Sequence, residues 1–177
     1  MGRSSPIIFT PFNWTFLPSG NSMAQIVRMT EHLDRSEPKR KTRLAESLIE
    51  LCQRTSRREI VMIFSDFFGN LELLESALQR FRFQQHEVVL FQVMHHDELV
   101  FEFDGMIKFL GLEAADELLA QPEELRRSYL QAMERFNAQF DDICRRNRVE
   151  RVLIDTQRDL AGVLIDYLNQ RAGLRRH

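Results

Sequence analysis

The chain has 177 residues, 44% of them hydrophobic and 28% charged, with 7 Gly and 5 Pro, the composition of an ordinary globular domain and not of a disordered or fibrous chain. A net charge of −2 gives no basic field for nucleic acid, and short basic bursts such as Lys39-Arg40-Lys41 and Arg145-Arg146 have acids close by. No run approaches the roughly 20 apolar residues of a membrane span, and two cysteines outside any C-x-x-C read as reduced, buried thiols, so a cytoplasmic setting is expected.

In chain order, Ile7-Ile8-Phe9 and Trp14-Thr15-Phe16-Leu17 read as two short strands around Pro11, closed by the turn Pro18-Ser19-Gly20. Ser22 is placed to cap a helix with Met23, Ile26, Thr30 and Leu33 on one face, which Ser36-Glu37-Pro38 ends. A second helix is predicted from about Lys41 to Thr55, with Leu44, Leu48, Leu51 and Cys52 inward. Between Glu59 and Ser65 the run Ile60 to Phe64 is apolar without alternation, as expected of a parallel strand covered on both faces, and it delivers Asp66 to its C-terminal end. Leu71, Leu74, Leu78 and Phe81 then mark a helix, and Val88 to Val93 a second buried strand. Strand, helix and strand in so short a stretch make a βαβ unit with parallel strands.

Leu99 to Phe103 and Met106 to Leu110, joined by Asp104-Gly105, predict a β-hairpin with a type I′ turn. The longest helix opens at Pro122 with two acids in its first turn. Leu125, Tyr129, Met133, Phe136, Phe140 and Ile143 then repeat at helical spacing to about Asn147. Val152 to Asp155 is a third buried strand, followed by a helix with Leu160, Leu164 and Tyr167 inward. The expected architecture is a single α/β domain over residues 1–177, an open, mostly parallel Rossmann-like sheet with helices on both faces and an added β-hairpin.

The chain lacks the dinucleotide, P-loop, nucleophile-elbow and HExxH motifs. Ligands of open α/β sheets bind beyond the carboxyl ends of the strands, where Asp66 and Asp155 fall. A hard cation such as Mg²⁺ takes carboxylate, hydroxyl and water oxygens, and Thr42 is a candidate hydroxyl ligand near Asp66. The competing reading of Asp66 is a helix-capping or loop-bonding carboxylate. His95-His96-Asp97-Glu98 places four ligand-type side chains in a row, but consecutive residues leaving a strand point to alternate sides, so a polar crossover is the stronger reading. Glu113 reads as structural.

The ordered set KTRLAESL, IVMIFSDF, HEVVLFQVMHHDEL, FDGMIKFLGLE, LRRSYLQAMERF and DYLNQR resembles the bacterial domain of unknown function 58 family, which is von Willebrand factor A-like, over about residues 12–171. In such domains a metal-ion-dependent adhesion site combines an Asp-x-Ser-x-Ser segment, a Thr and a later Asp. The resemblance assigns Thr42 and Asp66 to the last two roles, with Arg43 where Asp is usual. No Asp-x-Ser-x-Ser segment is present: Asp34-Arg35-Ser36 begins like one, but Glu37 replaces the final Ser.

The chain thus resembles a family member that begins near the second strand, so the sheet is expected to be incomplete at the N-terminus and to associate with itself. The resemblance implies a non-enzymatic protein-interaction module with a degenerate metal site and weak or no Mg²⁺ or Mn²⁺ binding. It also implies a protein partner, with MoxR-type AAA+ ATPases as the neighbours commonly encoded beside the family. No nucleic-acid or membrane partner is expected. The alternative is a metal-assisted phosphoryl-transfer or hydrolytic enzyme centred on Asp66, with Asp155 or the His95–Glu98 cluster recruited; a phospho-acceptor version would need an acidic pair after the first strand.

Overall fold

A computed structural model describes residues 7–10, 13–16, 22–35, 43–55, 58–102, 107–110, 117–120 and 122–174. The turn at 18–20, the break at 36–38, Asp104-Gly105 and Glu113 lie outside them.

The two short strands expected here are present, β1 (Ile7–Thr10) and β2 (Asn13–Phe16), and they pair antiparallel. Helix α1 (Met23–Asp34) follows Ser22, whose side chain makes no capping bond. Helix α2 (Leu44–Arg54) buries Leu48 and Cys52 and partly buries Leu44 and Leu51. The central unit is β3 (Ile60–Ser65), α3 (Leu71–Phe83) and β4 (Glu87–Met94), with β3 and β4 parallel and Met62 opposite Val89. Helix α5 (Pro122–Asn147) leads to β7 (Glu150–Asp155), which lies parallel to β4, and α6 (Leu160–Leu174) closes the described chain.

The parallel sheet has the order β3-β4-β7, with β4 in the middle. On one face Val61, Ile63, Val88 and Leu90 meet α2, α3 and α5, where Leu78, Phe81, Phe140 and Ile143 are fully enclosed. On the other, Val89, Phe91 and Ile154 meet Tyr167, Val163 and Leu164 of α6. The fold is therefore α/β, an open parallel sheet with helices on both faces, as expected.

Three sequence expectations are corrected. The run in β3 is covered on one face only: Ile60, Met62 and Phe64 are 51%, 50% and 55% exposed, because α6 spans β4 and β7 and stops short of β3. An unbroken apolar run does not report which faces are covered; of the three parallel strands only β4 is enclosed from both sides. Leu153 of β7 and Leu160 of α6 are likewise exposed, against the expectation of burial. Helix α1 also turns Met23, Ile26 and Leu33, its expected inner face, to solvent, and buries Gln25 instead.

The hairpin is also shifted. Leu99 and Val100 belong to a short helix, α4 (His96–Val100), and not to a strand. The antiparallel pair is instead β5 (Ile107–Leu110) with β6 (Glu117–Ala120). A local capping interaction at His95 wins over the strand propensity of the apolar residues that follow it.

Candidate functional site

The C-terminal ends of the three parallel strands carry the candidate residues. After β3 the chain turns sharply at Phe67, whose φ of 62° lies in the left-handed region. A bulky residue rarely adopts that conformation, and here the turn is held on every side. The Ser65 hydroxyl accepts from the Phe67 N–H at 3.1 Å, and Asp66 Oδ1 accepts from the Phe68 N–H at 3.0 Å and from Ser65 at 3.4 Å. The Phe67 ring sits in the core, 5.1 Å from that of Phe140. Asn70 then caps α3 by accepting from the Leu73 N–H at 2.9 Å. One Asp66 oxygen is thus committed to its own loop, and the side chain is exposed.

The position of Asp155 is set by register. It lies opposite Met94, the last residue of β4, so the chain leaving β4 returns over it. His96 Nδ1 lies 2.9 Å from Asp155 Oδ2, and Asp155 Oδ1 accepts from the Gln157 N–H at 2.9 Å. The Gln157 amide, then His96 and the more distant Arg158, hold the Asp155 carboxyl below its ordinary value.

The rest of the His95–Glu98 cluster is spent locally. His95 Nδ1 accepts from the Asp97 N–H at 3.3 Å while Glu98 Oε2 accepts from the His95 N–H at 3.1 Å, a reciprocal capping box for α4. His95 and Glu98 are thus spent on the cap, His96 on Asp155, and Asp97 lies 3.4 Å from His95 Nδ1.

Between the two aspartates, the sheet contains a polar network that the sequence does not announce. Gln92, 1% exposed, donates from Nε2 to the Asp66 carbonyl at 3.3 Å and accepts on Oε1 from Arg151 Nε at 3.0 Å. The Arg151 guanidinium also donates to Asn137 Oδ1 at 2.6 Å and to Asp141, and lies 4.8 Å above the Phe140 ring. These contacts tie all three strands to α5. A buried amide needs partners, but nothing local in the sequence links Gln92 to Arg151, 59 positions away.

A second network closes the opposite end of the sheet. Tyr167 donates to Glu150 Oε2 at 2.7 Å, and Arg171 donates to the Tyr167 oxygen at 2.7 Å while pairing with Glu87. Burial, then the Glu150 carboxylate, pushes the Tyr167 hydroxyl far above its usual range.

The donor set does not suit a resident metal. Among the described residues no three His, Cys, Asp or Glu side chains converge, and Thr42 lies outside those residues. A hard cation takes six or more oxygens; Asp66 offers one uncommitted carboxylate oxygen, and β4 separates it from the Asp155 strand. Nor do the thiols suit nucleophilic chemistry: burial pushes Cys144 up to about 11 and raises Cys52, and the thiolate is the reactive form. A cavity of about 440 Å³ beside β7 and α6 is lined by Val152, Asp155, Arg158, Val163, Asp166 and Tyr167. Asp155 is paired with His96, but among the described residues the lining holds no Ser, Thr or Cys to serve as the nucleophile of a hydrolytic site. None of the helices, among the described residues, is long and apolar enough to cross a membrane.

Compared with known proteins, residues 3–139 match the family described as "Protein of unknown function DUF58". That span runs from β1 into α5 and stops short of β7 and α6. No curated protein and no solved structure matches the chain.

Proposed function

The chain belongs to the DUF58 family, and from that premise we propose that it is a non-enzymatic protein-interaction module of the cytoplasm with a degenerate metal site. The observation that carries this reading is the pairing of two features at one strand. Ile60, Met62 and Phe64 form an exposed apolar row along β3, while Asp66 at its end bonds its own loop. Isolated exposed apolar residues are normal, but a contiguous row marks a contact surface.

In a complete adhesion site, a partner's acid completes the coordination of the metal. Here the apolar row takes over as the contact, and Asp66 with Thr42 binds Mg²⁺ or Mn²⁺ weakly or not at all. The partner in this reading is a MoxR-type AAA+ ATPase, docked on the β3 face. Interferometry with a purified ATPase of that type tests it. The reading expects saturable binding that survives chelation of divalent ions and is lost in Phe64→Ser. Absence of binding, or binding abolished by chelation, would contradict it.

A further inference from the structure

Strand β3 is exposed along its edge as well as on one face. Among the described residues it pairs with β4 alone, so its far side carries an unpaired ladder. Its phase can be read from the strand's start. Glu59 turns both backbone groups toward the β4 side: its N–H donates to His86 Nδ1 at 3.2 Å and its C=O accepts from the Glu87 N–H at 2.9 Å. Backbone direction alternates along an extended chain, so Ile60, Met62 and Phe64 present their N–H and C=O groups to the open side. The residues with free backbone groups are therefore those with exposed apolar side chains.

The charges around this edge fit a copy of the same strand. Two antiparallel copies related by a two-fold axis at Met62 set Met62 against itself and Ile60 against Phe64. They also set Arg58 against Asp66. Ile60, Met62 and Phe64 share one face, because their spacing is even, and Arg58 and Asp66 flank them just outside the strand. Arg58 and Asp66 are both exposed, and Arg58 makes no ion pair among the described residues. The two-fold repeats the Arg58–Asp66 match at both ends, and unlike charges directly opposite favour such a pairing while like charges oppose it. A parallel copy in the same register would set Arg58 against Arg58 and Asp66 against Asp66. Edges blocked against pairing carry a charge or Pro within the strand, and Ile60-Val61-Met62-Ile63-Phe64-Ser65 has neither.

We infer that the occupant of this edge is a second copy of the chain, joined antiparallel through β3 about Met62 into one continuous six-stranded sheet. Ile60, Met62 and Phe64 each exchange both backbone bonds with a counterpart, and the two apolar rows merge into one. This inference rests on β3 being the interaction element, and it leaves the merged outer face open to a further partner.

Sedimentation velocity on the full chain across a concentration series tests it. The mass should rise from that of one chain, 21.0 kDa, to that of two. Met62→Lys should hold it at one chain, with an unchanged circular dichroism spectrum. Arg58→Asp, which turns both end pairs repulsive, should weaken the dimer about tenfold. Register is read separately by oxidation of Met62→Cys, whose two copies face each other about 5.5 Å apart, within disulfide reach. Ile60→Cys, with its copies several residues apart, should not cross-link. A monomer at every concentration, a dimer indifferent to Met62→Lys, or equal cross-linking at 60 and 62 would overturn the inference. None of these outcomes bears on binding of the ATPase, which stands or falls by interferometry.

Discussion

Asp155 shows how a site residue can be visible in sequence while its role is not. Its place at the end of an apolar strand marks it as a candidate, but its partners, His96 and the Gln157 amide, depend on the β4–β7 register. The Gln157 N–H first, then His96, depresses its carboxyl below the usual value of about 3.9. A depressed carboxylate contributes stability above its unfolded value and loses it as pH falls through its folded value. Asp155→Asn should therefore lower the urea midpoint at pH 6, and the gap from wild type should close below about pH 4. A gap constant across that range would mean that the charge plays no part.

Two other residues sit where sequence gives no warning. Gln85 and Arg148 hold φ of 61° and 56° at the ends of α3 and α5. There the His86 N–H reaches the Phe81 carbonyl and the Val149 N–H reaches the Cys144 carbonyl, both at 2.9 Å. That closure normally recruits glycine. Arg148→Gly should raise stability by about 0.5–1 kcal/mol through relief of the left-handed strain, partly offset by the flexibility glycine adds to the unfolded chain. Thermal denaturation would show the sign.

At the scale of elements, the helices with strong cores were legible and the edges were not. Leu71, Leu74, Leu78 and Phe81 lie buried on α3 as their spacing predicts, and Phe140 and Ile143 do so on α5. Their stripes face a core that the chain itself supplies. Strand β3 was legible as a strand but not as an edge, because an apolar run is the same string whether one face or two are covered. The hairpin failed for a related reason: strand propensity at Leu99 and Val100 competes with a capping box, and the box is the local, certain gain.

This asymmetry of β3 has a direct consequence. Met62→Lys, on the open face, should leave the stability of the dilute monomer within about 0.5 kcal/mol of wild type. Ile63→Ala, one residue on but facing α3 and α5, should cost about 2–5 kcal/mol. Comparable losses at both positions in a urea titration would mean that the outer face is covered after all. On the inner side, Arg151→Leu strips Gln92 Oε1 of its donor, at a cost of about 1–3 kcal/mol. In Gln92→Leu/Arg151→Leu the loss should fall short of the sum of the two single losses, since the residues share one network.

For the molecule as a whole, a three-stranded sheet with an enclosed centre and, among the described residues, two unpaired edges is a unit suited to extension. On its inner face α2, α3 and α5 bury the cluster from Leu48 to Cys144. Its outer layer, α6 over β4 and β7, leaves the third strand bare. Strand β3 is therefore the proposed site of assembly, and the strand-end carboxylates of Asp66 and Asp155 bond their own loops. Calorimetric titration of Mg²⁺ should accordingly give no saturable heat for wild type or for Asp66→Ala; saturable binding abolished by the substitution would restore a metal-dependent contact.

The most direct measurement is residue-resolved amide hydrogen exchange along β3 at low and high protein concentration. At low concentration the Met62 and Phe64 amides should exchange fast while Val61 and Ile63, facing β4, should be slow. At high concentration Met62 and Phe64 should gain protection, and in Arg58→Asp they should gain less. Slow exchange of all four amides at every concentration would contradict assembly at β3, because β3 would then already have a partner on both sides within a single chain.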